Sequence, residues 1–338
     1  MSETPLTRDA GIELPLICGA MYPCSNPELV AAVSEAGGLG ILQPISLTYV
    51  HGYEFREGIR KIRSLTSRPI GMNALIESSS RTYERRMNGW IEVALEEGVR
   101  FFVTSLGKPD WVVRMVEPHG ARVYHDVTER KWALKGVESG VHGLIAVNRR
   151  AGGHPGERTP EALLEEVGDL GLPVVCAGGV GTAREFAEAL RMGYDGVQMG
   201  TRFIATPECR ASEPYKEAIL EADEDDILWT ERITGTPVAV IATPYTRAMG
   251  EKVGPLARRL LKHPRTKHWM RSWYAVRSLW KLKRSSLDES GSKEYWQAGK
   301  SVAGIHEVEP AAEIVRRFGE AWREDRDPGE RLRDSASR

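Results

Sequence analysis

Eight short apolar runs, each nearly continuous, constrain this chain more than any other feature. They are "LPLICGA" (Leu14 to Ala20), "LGILQPI" (Leu39 to Ile45), "PIGMNAL" (Pro69 to Leu75), "FFVTSL" (Phe101 to Leu106), "ARVYHDV" (Ala121 to Val127), "GLIAVN" (Gly143 to Asn148), "PVVCAGGV" (Pro173 to Val180) and "GVQMGTRF" (Gly196 to Phe203). Runs with little polar alternation suit strands buried on both faces. Between them lie segments such as "NPELVAAVSEAGG", "TPEALLEEVGDLG" and "TAREFAEALRMG". Each has a capping residue, apolar positions at helical spacing and a terminal glycine. Strand and helix alternating eight times predict an α/β fold, a closed (β/α)8 TIM barrel. An open doubly wound sheet is the alternative, and the count of eight favours closure.

The alternation stops after the eighth run. Residues 207–294 carry helix-like segments, the turn-rich "ITGTPVAVIATPYT" and a basic stretch, and read as a helical cap. The barrel is expected over 12–206 and 295–324, with the amphipathic "EPAAEIVRRFGEAW" as its last outer helix and 325–338 as a frayed tail. The first residues lack the basic and apolar regions of a signal peptide, and no run approaches the roughly 18 apolar residues that span a bilayer. A cytoplasmic protein is therefore expected. Cys18, Cys24, Cys176 and Cys209 form no ligand-like cluster, so small buried thiols are expected and no metal.

In such barrels ligands sit on the loops at the C-terminal ends of the strands. Here those positions hold Ala20 and Met21 after the first run, Asn73 in the third, Ser105 and Lys108 after the fourth, and His125 and Asp126 in the fifth. The loop "RRAGGHPGERTP" (Arg149 to Pro160) follows the sixth, Gly178 and Gly179 the seventh, Gly200 and Thr201 the eighth. Glycines after two consecutive strands, each leading into a helix, expose backbone N–H groups in the way a phosphate requires. A phosphosugar, pyridoxal phosphate or flavin mononucleotide (FMN) would each fit, though no lysine ends a strand as a Schiff base would need.

The ordered set "AGGHPG", "AGGV", "GVQMGTRF" and "YWQAGKSVAGI" resembles the nitronate monooxygenase family, FMN-dependent barrels with relatives among NADH:quinone reductases and flavin-dependent enoyl-ACP reductases. The likeness runs from about Leu14 to the early 300s. It implies that Gly178, Gly179, Gly200 and Thr201 cradle the flavin phosphate, and that Ala20, Met21 and Asn73 contact the ring and ribityl chain. It also implies that Gly152 and Gly153 let their loop pass close to the reactive ring edge, with His154 as acid/base. A histidine titrates near neutrality and suits proton transfer next to a nitro group. His125, at the end of the fifth strand, is a candidate to stabilise the reduced ring.

The chain departs from the family pattern before "AGGH". The usual polar residue, glycine, any residue and glutamate are here Val147, Asn148, Arg149 and Arg150. Asn148 is expected to replace the missing polar contact. The two arginines, Arg150 above all, point to an anionic substrate or cofactor. The resemblance places Tyr295 and Lys300 at the mouth of the site.

Between Glu251 and Asp288 lie eleven basic residues and no acid, with Trp269, Trp273 and Trp280 among them. A solvated cationic face is the first reading. Recognition of an anionic acyl carrier and peripheral membrane contact through 256–284 are the others, and nothing else in the chain suits nucleic acid. The leading function is an FMN-dependent nitronate monooxygenase. The alternative is an NAD(P)H-dependent flavin reductase acting on a quinone or an unsaturated acyl thioester, and a non-catalytic flavin-binding or membrane-associated protein is the third. The substrate is expected to be a small anion, and the assembly a homo-oligomer.

Overall fold

The eight runs form eight parallel strands that close on themselves. The computed structural model describes residues 3–77, 81–252, 282–287 and 295–326. The strands are β1 (Leu16–Cys18), β2 (Leu39–Leu42), β3 (Ile70–Leu75), β4 (Phe101–Ser105), β5 (Arg122–Val127), β6 (Gly143–Val147), β7 (Val174–Ala177) and β8 (Gly196–Met199). β8 pairs back onto β1, with Ile17 in register with Gln198. Seven helices follow the first seven strands: α2 (Pro27–Glu35), α3 (Phe55–Arg63), α4 (Arg81–Glu96), α5 (Asp110–Val116), α6 (Arg130–Glu138), α7 (Pro160–Val167) and α8 (Ala183–Met192). The TIM barrel expected from the count of eight is the fold observed.

Alternation along each strand divides the wall into two layers. Ile17, Ile41, Phe101, Tyr124, Ile145 and Val175 fill the inside, while Leu16, Met72, Phe102, Val123, Leu144 and Val174 pack outward under the helices. A helix before the first strand, α1 (Pro5–Ala10), belongs to the inner cluster through Leu6 and Ala10. Its Asp9 accepts a 3.0 Å hydrogen bond from the hydroxyl of the inward-facing Tyr124. The barrel unit therefore takes in residues upstream of the expected start at 12.

The last helix, α12 (Ala311–Arg326), takes the eighth outer place between α8 and α2, with Phe318 packed 5.5 Å from Phe186. Its approach is fixed by Arg202, a fully buried guanidinium just after β8. Arg202 donates to the carbonyls of Ala205 (2.9 Å) and Glu307 (2.7 Å) and lies 3.4 Å from Glu309. Glu309 also receives two hydrogen bonds from Arg317 of α12.

Between β8 and α12 the described part of the cap departs from the helical expectation. After the short α9 (Thr201–Ile204), which still belongs to the barrel, it contains α10 (Glu213–Glu221) and α11 (Pro244–Met249), but also an antiparallel pair, β9 (Ile227–Thr230) and β10 (Val238–Ile241). "ILWT" and "VAVI" are β-rich runs separated by the turn residues of "TGTP", which is hairpin chemistry. Residues 253–281, with Trp269, Trp273 and Trp280 and most of the 256–284 stretch proposed for membrane contact, lie outside the described residues, as does the tail from 327. Among the described residues no helix is long and apolar enough to cross a membrane.

Candidate active site

The loop after β6 is threaded between two cap segments and clamped from below. Asn148 is fully buried. Its side-chain NH2 donates to the carbonyl of Gly178 (2.9 Å) and its amide oxygen accepts from the backbone of Arg150 (2.8 Å). This places Asn148 as a tie between the β6 and β7 loops, with both ends of its amide engaged inside the protein. A Cβ on Gly152 would lie 2.9 Å from the backbone nitrogen of Gly299, and Lys300 donates to the carbonyl of Arg150 at 2.9 Å. The close approach that Gly152 allows is thus to the "QAGK" backbone. On the other side Ala239 of β10 donates to the carbonyl of Gly153 (2.7 Å), and Gly153 turns the chain at φ +70°.

That turn presents His154, an exposed residue, beside the hairpin. Its Nε2 lies 3.2 Å from the hydroxyl of Thr234 in the β9–β10 turn. Protein crowds around the ring and lowers its pKa, yet the ring surface stays open to solvent. A neutral, accessible imidazole held by one hydroxyl is equipped to accept a proton.

The fifth strand gives a different answer from the one expected. His125 faces the outer layer: its Nδ1 sits 2.9 Å from the hydroxyl of Thr104, and its ring lies against Gly136 of α6. It is buried there, and burial pushes its pKa down to about 4. It does not face the barrel interior and cannot touch a ring bound above it. Its neighbour Asp126 faces inward, on the same side as Tyr124, opposite Ile145 of β6. Asp126 Oδ1 is buried with no hydrogen-bond partner, and burial raises the carboxyl to about 7. Gln198 of β8, on the interior side opposite Ile17, likewise has a buried Oε1 without a partner. Asn73 of β3 is 8% exposed. Its outward neighbours Met72 and Ala74 put it on the same interior side. The upper interior is therefore polar, with two acceptors unanswered by the protein.

Beside this floor, Gly178 and Gly179 follow β7 with φ of +115° and +84°, a region that favours glycine. A Cβ on Gly178 would strike the Ala151 backbone at 2.5 Å, so that loop packs directly on the β6 loop. Across the barrel seam, a Cβ on Gly200 would come within 3.3 Å of Met21 Sδ. The Met21 N–H is taken by Ser25 Oγ at 2.8 Å, leaving the side chain as the feature beside Gly200, while Ala20 packs against the inner cluster. Thr201 Oγ1 accepts from Gly299 N–H at 3.1 Å and keeps its own proton for donation. All the residues expected to form a phosphate cradle are thus at one end of the barrel.

At the mouth, the Arg150 guanidinium lies across Gly179 and is paired with Glu224. Lys300 Nζ stands 4.0 Å from the same carboxylate. In the loop read as electropositive, Arg150 is thus paired with a cap glutamate. Nothing in the acidic run "EADEDD" marked that residue out. Tyr295 is 2% exposed and belongs to the cap's own small core with Val238, Val240 and Leu282. It packs the cap and does not line the mouth.

Residues 3–319 match the model of the family described as Nitronate monooxygenase. The chain belongs to that family. Among relatives of this nitronate monooxygenase family member is the (3aS,4S,5R,7aS)-5-hydroxy-7a-methyl-1-oxo-octahydro-1H-indene-4-carboxyl-CoA dehydrogenase of Mycobacterium tuberculosis. It is 32% identical over 71% of this chain and 66% of its own length. A "probable nitronate monooxygenase" of Staphylococcus saprophyticus is 28% identical over 73% of this chain and 81% of its own. The chain therefore spans just under two thirds of the first relative and more of the second. Among solved structures, FabK from Thermotoga maritima superposes with TM-score 0.79 at 28% identity, over 99% of this chain and 100% of that one.

The family is one of flavin-dependent oxidoreductases, and the residues fit a flavin. Gly178, Gly179, Gly200 and Thr201 gather at the same end of the barrel as the orphaned oxygens of Asp126 and Gln198, which call for polar ligand groups above the floor. This protein is such an oxidoreductase.

Proposed function

We propose that this enzyme binds FMN and oxidises alkyl nitronates with O2 to a carbonyl compound and nitrite. The observation that carries the reading is His154, an exposed imidazole whose pKa the surrounding protein lowers and whose Nε2 lies 3.2 Å from the Thr234 hydroxyl. Bound flavin supplies the two-electron acceptor and the reaction with oxygen. The protein's own part is proton handling and confinement. His154 takes the proton α to the nitro group of a neutral nitroalkane, and as an imidazolium it then faces the nitronate anion. Gly178, Gly179, Gly200 and Thr201 hold the phosphate, which is why we name FMN. The β10 strand and the 298–300 backbone fix the loop that carries His154. Nitrite and carbonyl product measured from an alkyl nitronate in air test the reading. With a neutral nitroalkane, His154→Ala should lose most turnover while retaining flavin, and full activity on that substrate would refute the role given to His154.

A second reading is favoured by Lys300 and Arg150 beside the cradle and by the relatives named as indene-carboxyl-CoA dehydrogenases. In it the enzyme passes electrons between NAD(P)H and a quinone or an acyl thioester, and the same His154 serves the carbon next to the carbonyl. Rapid flavin reduction by NADH without oxygen would favour this reading over the first.

A further inference from the structure

We propose that Asp126 is a cofactor-contact residue that carries a proton: its neutral carboxyl donates a hydrogen bond to the bound flavin from the barrel floor, so that flavin binding is linked to this one group. The inference rests on the flavin occupying this end of the barrel.

The geometry begins with the two-layer wall. Tyr124 faces the barrel interior and Val123, His125 and Val127 face the helices, so Asp126 points inward at the last full layer before the C-terminal loops. Its partner across the ladder is Ile145, and the inward residues flanking it on β4 and β6 are Val103, Ser105 and Val147. None of these is charged or titratable. On its own strand Tyr124, one layer below, donates to Asp9, and burial and Asp9 keep its phenol un-ionised. His125 points away. No cation among the described residues acts on Asp126, and burial is the one influence on its ionisation.

With its Oδ1 buried among uncharged side chains and offered neither a cation nor a hydrogen-bond donor, the charged form is disfavoured, so the group keeps its proton. A carboxylic acid held neutral by its surroundings can donate a hydrogen bond at pH 7 where charge develops on a ligand. The orphaned Oδ1 shows that no protein group bonds this oxygen. Gln198, the second orphan in the same layer, supplies an acceptor for a ligand N–H or hydroxyl. Asp126 is thus placed to answer the acceptor atoms of a flavin, which become more basic on reduction.

Two readouts test this. In flavin-free protein at pH 6, the infrared C=O stretch of a protonated carboxyl should be present in the wild type, absent in Asp126→Asn and lost from the wild type by pH 8.5. FMN titrations by fluorescence quenching should show the wild-type dissociation constant rising about tenfold from pH 6 to pH 8 relative to Asp126→Asn, whose amide keeps a donor at every pH. The phosphate's own ionisation affects both proteins alike and cancels in that ratio. Absence of the band, or parallel pH dependence in the two proteins, would overturn the inference and leave the flavin reading standing. Failure of both proteins to bind FMN or riboflavin at any pH would overturn the flavin reading and the inference with it.

Discussion

His125 and Asp126 are adjacent on β5 and face opposite layers of the barrel wall, one under α6 and the other into the interior. Burial acts on both and in opposite senses, because it disfavours the charged form of each: His125 falls from 6.5 to about 4 and Asp126 rises from 3.8 to about 7. Between about pH 4 and 6.5 unfolding therefore takes up a proton at the histidine and releases one at the aspartate. The two linkages oppose each other in the wild type.

Single substitutions should expose each slope. In His125→Asn the remaining Asp126 term gives stability that is greatest near pH 4 and is lost as pH rises towards 7. In Asp126→Asn the remaining His125 term gives stability present above pH 6.5 and lost as pH falls towards 4. Each change should tilt the profile by one proton, about 1.4 kcal/mol per pH unit, in opposite directions. Urea unfolding across pH 4 to 7 measures this, and two variants that parallel the wild type would contradict it.

His154→Ala should reduce kcat/KM for a neutral nitroalkane by about 10²- to 10⁴-fold while flavin content is unchanged. The wild-type rate should fall as pH drops through the histidine's lowered pKa, so the active plateau extends below 6.5. A rate that rises in acid would assign the proton transfer to another group.

Gly299→Ala should separate the β6 loop from its support. The added Cβ would lie 2.6 Å from both the Arg150 oxygen and the Gly152 nitrogen, so one backbone must move. A loss of about 1–3 kcal/mol is expected, with a drop in turnover because that loop carries His154. Gly89→Ala is the contrast: within α4, with nothing within 4 Å of the new atom, it should leave activity intact and raise stability by up to about 1 kcal/mol.

The alternation of runs and caps was enough to read the barrel and its last helix, because a strand buried on both faces and an amphipathic helix each write their burial into the sequence. The same property hid the active-site side of β5. In "RVYHDV" no polar alternation shows which residues face inward, and the register that turns Asp126 to the interior and His125 away emerges only from the closed sheet. Glycine signals were legible as close approaches, but the partner of Gly152 was a backbone some 145 residues later. Glu224 had no signature because an ion pair between distant loops leaves none.

Removing the guanidinium of Arg202 should be far worse than replacing its ion pair. Arg202→Ala leaves Glu309 short of a partner and two carbonyls without donors, at a cost of about 3–5 kcal/mol measured by chemical denaturation. Arg202→Met with Glu309→Gln should recover part of that loss, and no recovery would locate the cost in the carbonyl contacts alone.

The proposed function requires that an alkyl nitronate, and not NADH, reduce the bound flavin. The most direct test is the visible spectrum of the purified, flavin-loaded protein without oxygen, with an alkyl nitronate in one cuvette and NADH in another. Bleaching by the nitronate, with no response to NADH, is the predicted result. Rapid bleaching by NADH, with none by the nitronate, would contradict it and make the enzyme a nicotinamide-dependent reductase.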